Sequence, residues 1–319
     1  MFRPVLALVA VFGGTLMAAD PSLRLPLLSN SDAWKKLPDA PAKAEPLPVW
    51  ARAFAGVYPV STARMLEIDA LHRTGERLDG RFRAVVRWAA ADANHCDYAK
   101  AMAAADYDRA AGHPSDLATL MKDERKLPEA DRLGAAFARK MMTDAAGVTD
   151  AEVKKLIDLL GDERVVALVA LLAHASFQDR MFLAMNVSPE SGGVPAPVVA
   201  KFGRPKIAPH KPADTPAEEA KAEPTDVWKK GRTGMAEQKK RPGRIAVPTE
   251  EAVAARMGKT HPGLWQNGII WSRVCYGHQP ELTDGWFDTA NAFRQESGLD
   301  GVFGNSLFWT VTDALNCFY

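Results

Sequence analysis

The chain is poor in cysteine, with Cys96, Cys275 and Cys317 the three present in 319 residues. Three cysteines are too few for a disulfide scaffold, so the fold must depend on an ordinary hydrophobic core. Hydrophobic residue types make up 47% of the chain, which is enough to build one. An odd number also leaves at least one thiol free or paired with another chain.

The chain also lacks an excess of charge of either sign. Its 40 Lys and Arg residues nearly balance 39 Asp and Glu residues, which gives a net charge of +1 at pH 7. Proteins that bind nucleic acid usually carry a basic excess, so we expect no nucleic-acid partner.

Several motifs of common enzyme classes are missing. The sequence contains no P-loop, no dinucleotide-binding glycine fingerprint and no Gly-x-Ser-x-Gly elbow. Its seven histidines show no metal-ligand spacing. We therefore predict neither a cofactor site nor a metal site.

Long apolar runs are missing too, apart from a short one near the N-terminus. Arg3 precedes an apolar stretch from Pro4 to Met17, and Ala18-Ala19 follow. This order is typical of an export signal, so residues 1–19 are predicted to be a signal peptide of a periplasmic or secreted protein. An uncleaved anchor is the alternative, but the run is shorter than the about 20 residues that span a bilayer, and we expect no membrane span.

Proline content and helical periodicity divide the remaining chain. Residues 20–48 are rich in proline and predict an extended arm. Residues 49–186 carry apolar positions at helical spacing and predict an all-α domain. Residues 187–250 hold ten of the 22 prolines and predict a flexible or draped linker. Residues 251–319 form a further segment.

One long helix is predicted from Asp79 to about Ala111. Its apolar stripe steps by three and four residues through Phe82, Val85, Ala89, Ala93 and Cys96. This stripe predicts that Cys96 lies on the buried face.

The last segment repeats an earlier one. Trp309-x-x-x-Asp313-Ala314-x-x-Cys317-x-Tyr319 matches Trp88-x-x-x-Asp92-Ala93-x-x-Cys96-x-Tyr98, 221 residues earlier. Without a gap, residues 50–98 and 271–319 share 15 identical residues in 49 positions. We interpret this as an internal duplication, whose second copy ends two residues after its cysteine.

The sequence RWAAADANHCDY around Cys96, followed by VTDAEVKKLIDLLGDERVVALVALLAHASFQDR, resembles the alkylhydroperoxidase D and carboxymuconolactone decarboxylase family. The resemblance covers about 50–186 fully and 271–319 in part. It implies an all-α alkylhydroperoxidase D-like helical bundle, one complete copy plus a truncated second copy, and a homo-oligomer. Redox members of the family use Cys-x-x-Cys-x-x-x-His and a Glu about twelve residues before the first Cys.

Most of these positions are lost in the first copy. Cys96 matches the first Cys, but Ala99 stands at the second Cys, Ala103 at the His and Ala84 at the Glu. Cys96 is therefore either a remnant nucleophile or a small core residue. The neighbouring His95 is a candidate to lower its pKa, although adjacent helical residues point about 100° apart.

In the second copy, Cys317 matches the first Cys and Asn305 stands at the Glu position. The second redox residue would be residue 320. Since selenocysteine is encoded by UGA, which is ordinarily read as stop, we hypothesise a selenoprotein whose Cys-x-x-selenocysteine motif continues past Tyr319. A truncated pseudogene or a frameshift is the competing explanation.

The sequence therefore predicts a thiol- or selenol-dependent oxidoreductase that reduces peroxides or exchanges disulfides, with an unknown thiol reductant as partner. Its candidate catalytic residues are Cys317, Cys96 and His95. The alternative is a non-catalytic helical assembly module with decayed sites.

Overall fold

The computed structural model describes residues 23–41, 45–206, 226, 233, 243–257 and 270–314, without the side chains of 313 and 314. These ranges contain thirteen bounded α-helices and two short 3-10 turns, Glu124–Lys126 and Ala145–Gly147. No β-strand occurs among them. The predicted all-α class is confirmed.

Nine helices belong to the first part of the chain. They are α1 Asn30–Lys36, α2 Val49–Phe54, α3 Pro59–Thr74, α4 Gly80–Ala93, α5 Asp97–Ala111, α6 Leu117–Lys122, α7 Glu129–Thr143, α8 Asp150–Leu160 and α9 Asp162–Met185. Four follow later: α10 Glu250–Met257, α11 Ile270–His278, α12 Pro280–Glu296 and α13 Gly301–Ala314.

Helix α4 lies at the centre of the first part and packs against α5, α7 and α9. Its buried face includes Phe82, Val85 and Val86. Gly134 of α7 allows the two helices to approach closely, because a Cβ at that position would lie 2.6 Å from the Phe82 ring. The contact between α4 and α7 therefore requires a residue without a side chain.

Helix α9 is, within the described residues, the one helix long and apolar enough to cross a bilayer. In its most apolar window 61% of the residues are buried against the rest of the protein. A core helix of a globular protein has the same character, so α9 gives weak support for a membrane span.

The segments predicted as an arm and a linker partly pack onto the helical domain. Trp34 of α1 is buried and stacks on Phe202 at a ring distance of 6.0 Å. The buried Arg64 guanidinium donates to the Phe202 carbonyl at 3.2 Å and to the Gly203 carbonyl. Residues 23–41 and 187–206 therefore complete the core, because apolar side chains between their prolines become buried.

The predicted helix from Asp79 to Ala111 is wrong, since it is broken between α4 and α5. The Cys96 amide donates to the Ala91 carbonyl at 2.8 Å, and the His95 amide donates to the Asp92 carbonyl at 3.0 Å. This pair of bonds is the Schellman motif that ends a helix, with His95 in the left-handed conformation at φ 56°. Periodicity alone did not reveal it because neither glycine nor proline marks the break.

The two similar segments share local geometry. Helices α11, α12 and α13 begin 221 residues after α2, α3 and α4. Thr62 donates to the carbonyl four residues earlier at 2.6 Å, and Thr283, at the equivalent position, does the same at 2.6 Å. Asp79 and Asp300 each accept from the backbone amide three residues later. The identical residues thus include those that begin the helices.

The equivalent helices α3 and α12 pack against each other in antiparallel orientation. At one end, Glu296 accepts from the Val60 and Ser61 amides at 3.0 and 2.6 Å. At the other end, Arg77 pairs with Glu281 at 3.0 Å. The last turn of α12 therefore caps the start of α3.

Helix α13 exposes much of its apolar surface. Phe303 and Leu307 are 53% and 49% exposed, whereas Phe82 and Val86, at the equivalent positions of α4, are buried. Helices α5, α7 and α9 cover α4, and no described helix covers α13 in that way.

Candidate functional site

The Cys96 thiol lies inside the first core, as the sequence predicts. Cys96 is the residue before α5 and is 1% exposed. It belongs to the same apolar cluster as Ala91, its partner in the Schellman motif. A hydrophobic contact at these two positions commonly accompanies the motif, so Cys96 acts here as a small apolar side chain.

Burial and a nearby carboxylate keep the Cys96 thiol protonated. Burial first and the nearby Asp179 carboxylate second raise the pKa of Cys96 to about 11, against a smaller lowering by the Ala99 amide. Only the thiolate attacks a peroxide, and reactive cysteines have a pKa below the usual value. Cys96 therefore lacks the ionisation that a nucleophile needs.

The neighbouring positions offer no replacement chemistry. Ala99, Ala103 and Ala84 stand where the resembled family has its second Cys, its His and its Glu, and all three are buried. Their methyl groups can neither resolve a sulfenate nor move a proton.

His95 is exposed, while the adjacent thiol is buried. Its left-handed backbone directs the chain from α4 into α5. The structure thus gives His95 a conformational role at the helix junction.

A buried ion pair between Arg87 and Asp179 lies near Cys96. Both terminal nitrogens of Arg87 donate to the Asp179 carboxylate, one of them at 3.1 Å, and the Asn94 amide group donates to it at 2.8 Å. Arg87 and Asp179 are both buried. Removing one partner of such a pair leaves an uncompensated buried charge, so replacing either residue alone would destabilise the contact between α4 and α9.

A second polar group joins α3, α5 and α9. Asp69 accepts from Arg73 at 3.0 Å and from Gln178 at 2.8 Å. Arg73 also pairs with Asp106 through two bonds of 2.8 and 3.0 Å. These carboxylates are already hydrogen-bonded, which suits a structural role.

Two histidines stack beside these pairs. The rings of His72 and His174 lie 4.6 Å apart, and both residues are buried. Burial, followed by the Arg87 charge, lowers the pKa of His174 to about 3. Burial and the neighbouring His174 lower the pKa of His72 well below its usual value. Both rings are therefore neutral at pH 7, and neither nitrogen of His174 has a hydrogen-bond partner in the described structure.

None of the sequence motifs described above singles out these polar residues. Arg87 and Asp179 stand within apolar helical stretches, and a charge at such a position must find a partner. The need for a partner indicates a buried ion pair, but the sequence does not reveal which helices meet.

The other two cysteines, Cys275 and Cys317, lie in the last segment of the chain. Cys275 is half-buried, and burial raises its pKa to about 11. Cys317 and the predicted signal peptide lie outside the described residues. In the described ranges, Cys96 and Cys275 are free thiols and no His, Cys, Asp and Glu group is arranged to bind a metal.

Comparison of the chain with protein-family models, with curated proteins and with solved structures finds no match.

Proposed function

We propose that this protein is a thiol- or selenol-dependent oxidoreductase, similar to alkylhydroperoxidase D, that reduces peroxides or exchanges disulfides. Residues 49–186 serve as a structural repeat, and the second repeat carries the reactive residues around Cys317. The observation behind this division is the pair of matching segments, which share helix starts and caps, together with the alanines at positions 84, 99 and 103 of the first one.

The first repeat is poorly suited to the chemistry. Its cysteine is buried with a pKa raised to about 11, and three alanines occupy the positions of the family's reactive groups. Antiparallel packing of α3 on α12 gives it a different role, which is to hold the second repeat as one half of an internal pair.

The reaction requires a partner for Cys317 at position 320, either Cys or selenocysteine. The ionised sulfur or selenium of residue 320 attacks a peroxide oxygen, which breaks the O–O bond and releases an alcohol. The Cys317 thiol then attacks the resulting sulfenic or selenenic acid, releasing water and forming a disulfide or selenenyl sulfide. An external thiol reductant restores both groups.

The test uses the natural gene product. The gene is read in frame past codon 319 and the mass of the purified protein is measured, followed by hydroperoxide consumption with a dithiol reductant. We expect a UGA codon with coding sequence beyond it, and turnover that Cys317→Ser abolishes. An ordinary stop codon with no coding sequence beyond it, together with no turnover, would overturn the proposal.

Export is part of the same proposal. Residues 1–19 direct the chain out of the cytoplasm, and fractionation of the producing cells with N-terminal sequencing tests this. Recovery of the intact N-terminus from the cytoplasm would contradict it.

The second candidate is a non-catalytic helical module that assembles with other copies. The exposed apolar surface of α13 favours it, because Val302 and Phe308 are 77% and 67% exposed. Under this candidate, Cys317→Ser changes no activity, and Phe308→Ser shifts the oligomeric state in sedimentation experiments.

A further inference from the structure

A cavity of about 620 Å³ lies where α9 meets α11 and α12. Ligand pockets in proteins commonly have volumes of about 300–1,000 Å³. Its walls are apolar and include Val169 and Ala173 of α9, Val274 and Trp271 of α11, and Trp286 of α12. Neither the redox chemistry nor the Schellman junction uses this space.

Helix α9 explains why the cavity is apolar. The helix is hydrophobic on nearly all sides, and its other faces are buried in the first domain. Ala173 is exposed and Val169 is 37% exposed, so this remaining stripe faces the cavity. The stripe has enough room beside it to contact a separate molecule.

The polar groups in the described wall carry no charge inside the cavity. Thr283 donates its hydroxyl to the Gln279 carbonyl at 2.6 Å. The His72 ring is stacked on His174 and is neutral at pH 7 because its pKa lies well below the usual value. A charged group placed deep in this space would lose its hydration without gaining an opposite charge.

Arg244 also borders the cavity, and its side chain is 40% exposed. Its guanidinium pairs with the largely exposed Asp150 at 2.7 Å and donates to the Val148 carbonyl at 2.8 Å. An exposed ion pair of this kind contributes little free energy, so its carboxylate can be exchanged for another. The cavity thus combines an apolar interior with a cation at its solvent-exposed edge.

We propose that this cavity binds an amphiphilic monocarboxylic acid of the fatty-acid type. The alkyl chain occupies the apolar space between α9, α11 and α12, and the carboxylate stays at the exposed edge, paired with Arg244. The charge of Arg244 selects an acid over an amine, and the uncharged interior selects an alkyl chain over a polar one. This site is independent of the proposed redox function.

The experiment titrates the full chain with laurate and with 1-dodecanol. Binding is followed by the fluorescence of Trp271 and Trp286, which line the cavity, and by calorimetry. The wild-type protein is expected to bind both, and laurate more tightly. Arg244→Gln should weaken laurate binding by about threefold to fivefold and leave 1-dodecanol binding unchanged, since an exposed charge pair is worth up to about 1 kcal/mol.

The interior is tested by filling it. Ala173→Phe should weaken binding of both probes at least about tenfold, because the added ring takes the space of the alkyl chain. The matched control Ala136→Phe changes an exposed alanine on α7, away from the cavity, and should alter neither affinity. Circular dichroism verifies folding, and Val169→Phe replaces Ala173→Phe if that variant does not fold.

Three results would overturn the proposal. One is that the wild-type chain does not bind laurate. Another is that laurate binds to Ala173→Phe and Val169→Phe as tightly as to the wild-type chain. The third is that Arg244→Gln weakens the binding of laurate and 1-dodecanol equally, which would mean that the cation does not hold the carboxylate.

Discussion

Burial and a neighbouring carboxylate act in the same direction on the Cys96 thiol. Both raise its pKa, to about 11, and at pH 7.5 roughly one thiol in several thousand is then ionised. The helix break beside it puts Cys96 into the core and His95 into solvent. Cys96 is therefore a packing residue.

Replacing His95 by glycine should stabilise the protein. His95 adopts φ 56°, a left-handed conformation that costs a non-glycine residue about 1–2 kcal/mol. The greater freedom of glycine in the unfolded chain offsets part of that gain, so we expect His95→Gly to raise the free energy of unfolding by about 0.5–1 kcal/mol. Urea denaturation measures it.

The control for that prediction is His95→Ala, which removes the imidazole but keeps the Cβ and should not stabilise. If both variants lower peroxide turnover without changing stability, His95 has a chemical role.

The stacked pair His72 and His174 should make the fold acid-sensitive. In the unfolded chain a histidine titrates near about pH 6.5, whereas burial lowers the pKa of His174 to about 3 in the folded state. The unfolded state therefore binds more protons below about pH 6.5. Stability that is present at pH 7 is lost as the pH falls from about 6.5 towards the folded-state pKa of about 3. At pH 5 the loss from His174 is about 2 kcal/mol, and the lowered pKa of His72 adds to it in the same direction.

The measurement compares the free energy of unfolding at pH 7 and pH 5. His174→Phe should remove the about 2 kcal/mol that His174 contributes to this difference, whereas the control His113→Gln, at an exposed position, should leave the difference unchanged. An equal pH dependence in the wild-type and His174→Phe proteins would contradict the assignment.

At the scale of single elements, the contact between α3 and α12 depends on Glu296. Its carboxylate accepts from the first amides of α3 and from the Ser61 hydroxyl, at 2.6–3.0 Å. Helix amides at this end have no partners within the helix, so losing a capping group destabilises the fold.

We therefore expect Glu296→Ala to lower the free energy of unfolding by about 1–2 kcal/mol, measured by thermal and urea denaturation. The neighbouring Gln295 is exposed, and Gln295→Ala is the matched control, with a change within about 0.5 kcal/mol. Equal effects of the two variants would show that α12 does not cap α3.

The helices themselves were largely predictable, whereas their interruptions and contacts were not. Thr149-Asp150-Ala151-Glu152 has the residue pattern of a capping box, and the structure contains the box. The break at His95 was missed because a Schellman motif normally uses glycine at that position. The packing of Trp34 on Phe202 was missed because prolines around both residues favoured an extended interpretation.

At the scale of the whole molecule, two similar segments face each other across α3 and α12. The sequence match located both segments, since identical residues begin their helices. It did not reveal the apolar cavity, which is formed by α9 of the first domain and by α11 and α12 of the second segment. Such sites depend on which surfaces meet, and one sequence does not contain that information.

The division of roles between the two repeats is the central claim, and the oxidation state of each cysteine tests it most directly. The natural gene product is treated with a limiting amount of hydroperoxide without reductant, alkylated, digested and analysed by mass spectrometry. We predict that Cys317 is recovered in an oxidised bond with residue 320, while Cys96 remains a free thiol. Oxidation of Cys96 before Cys317, or a Cys317 that stays reduced, would contradict the account.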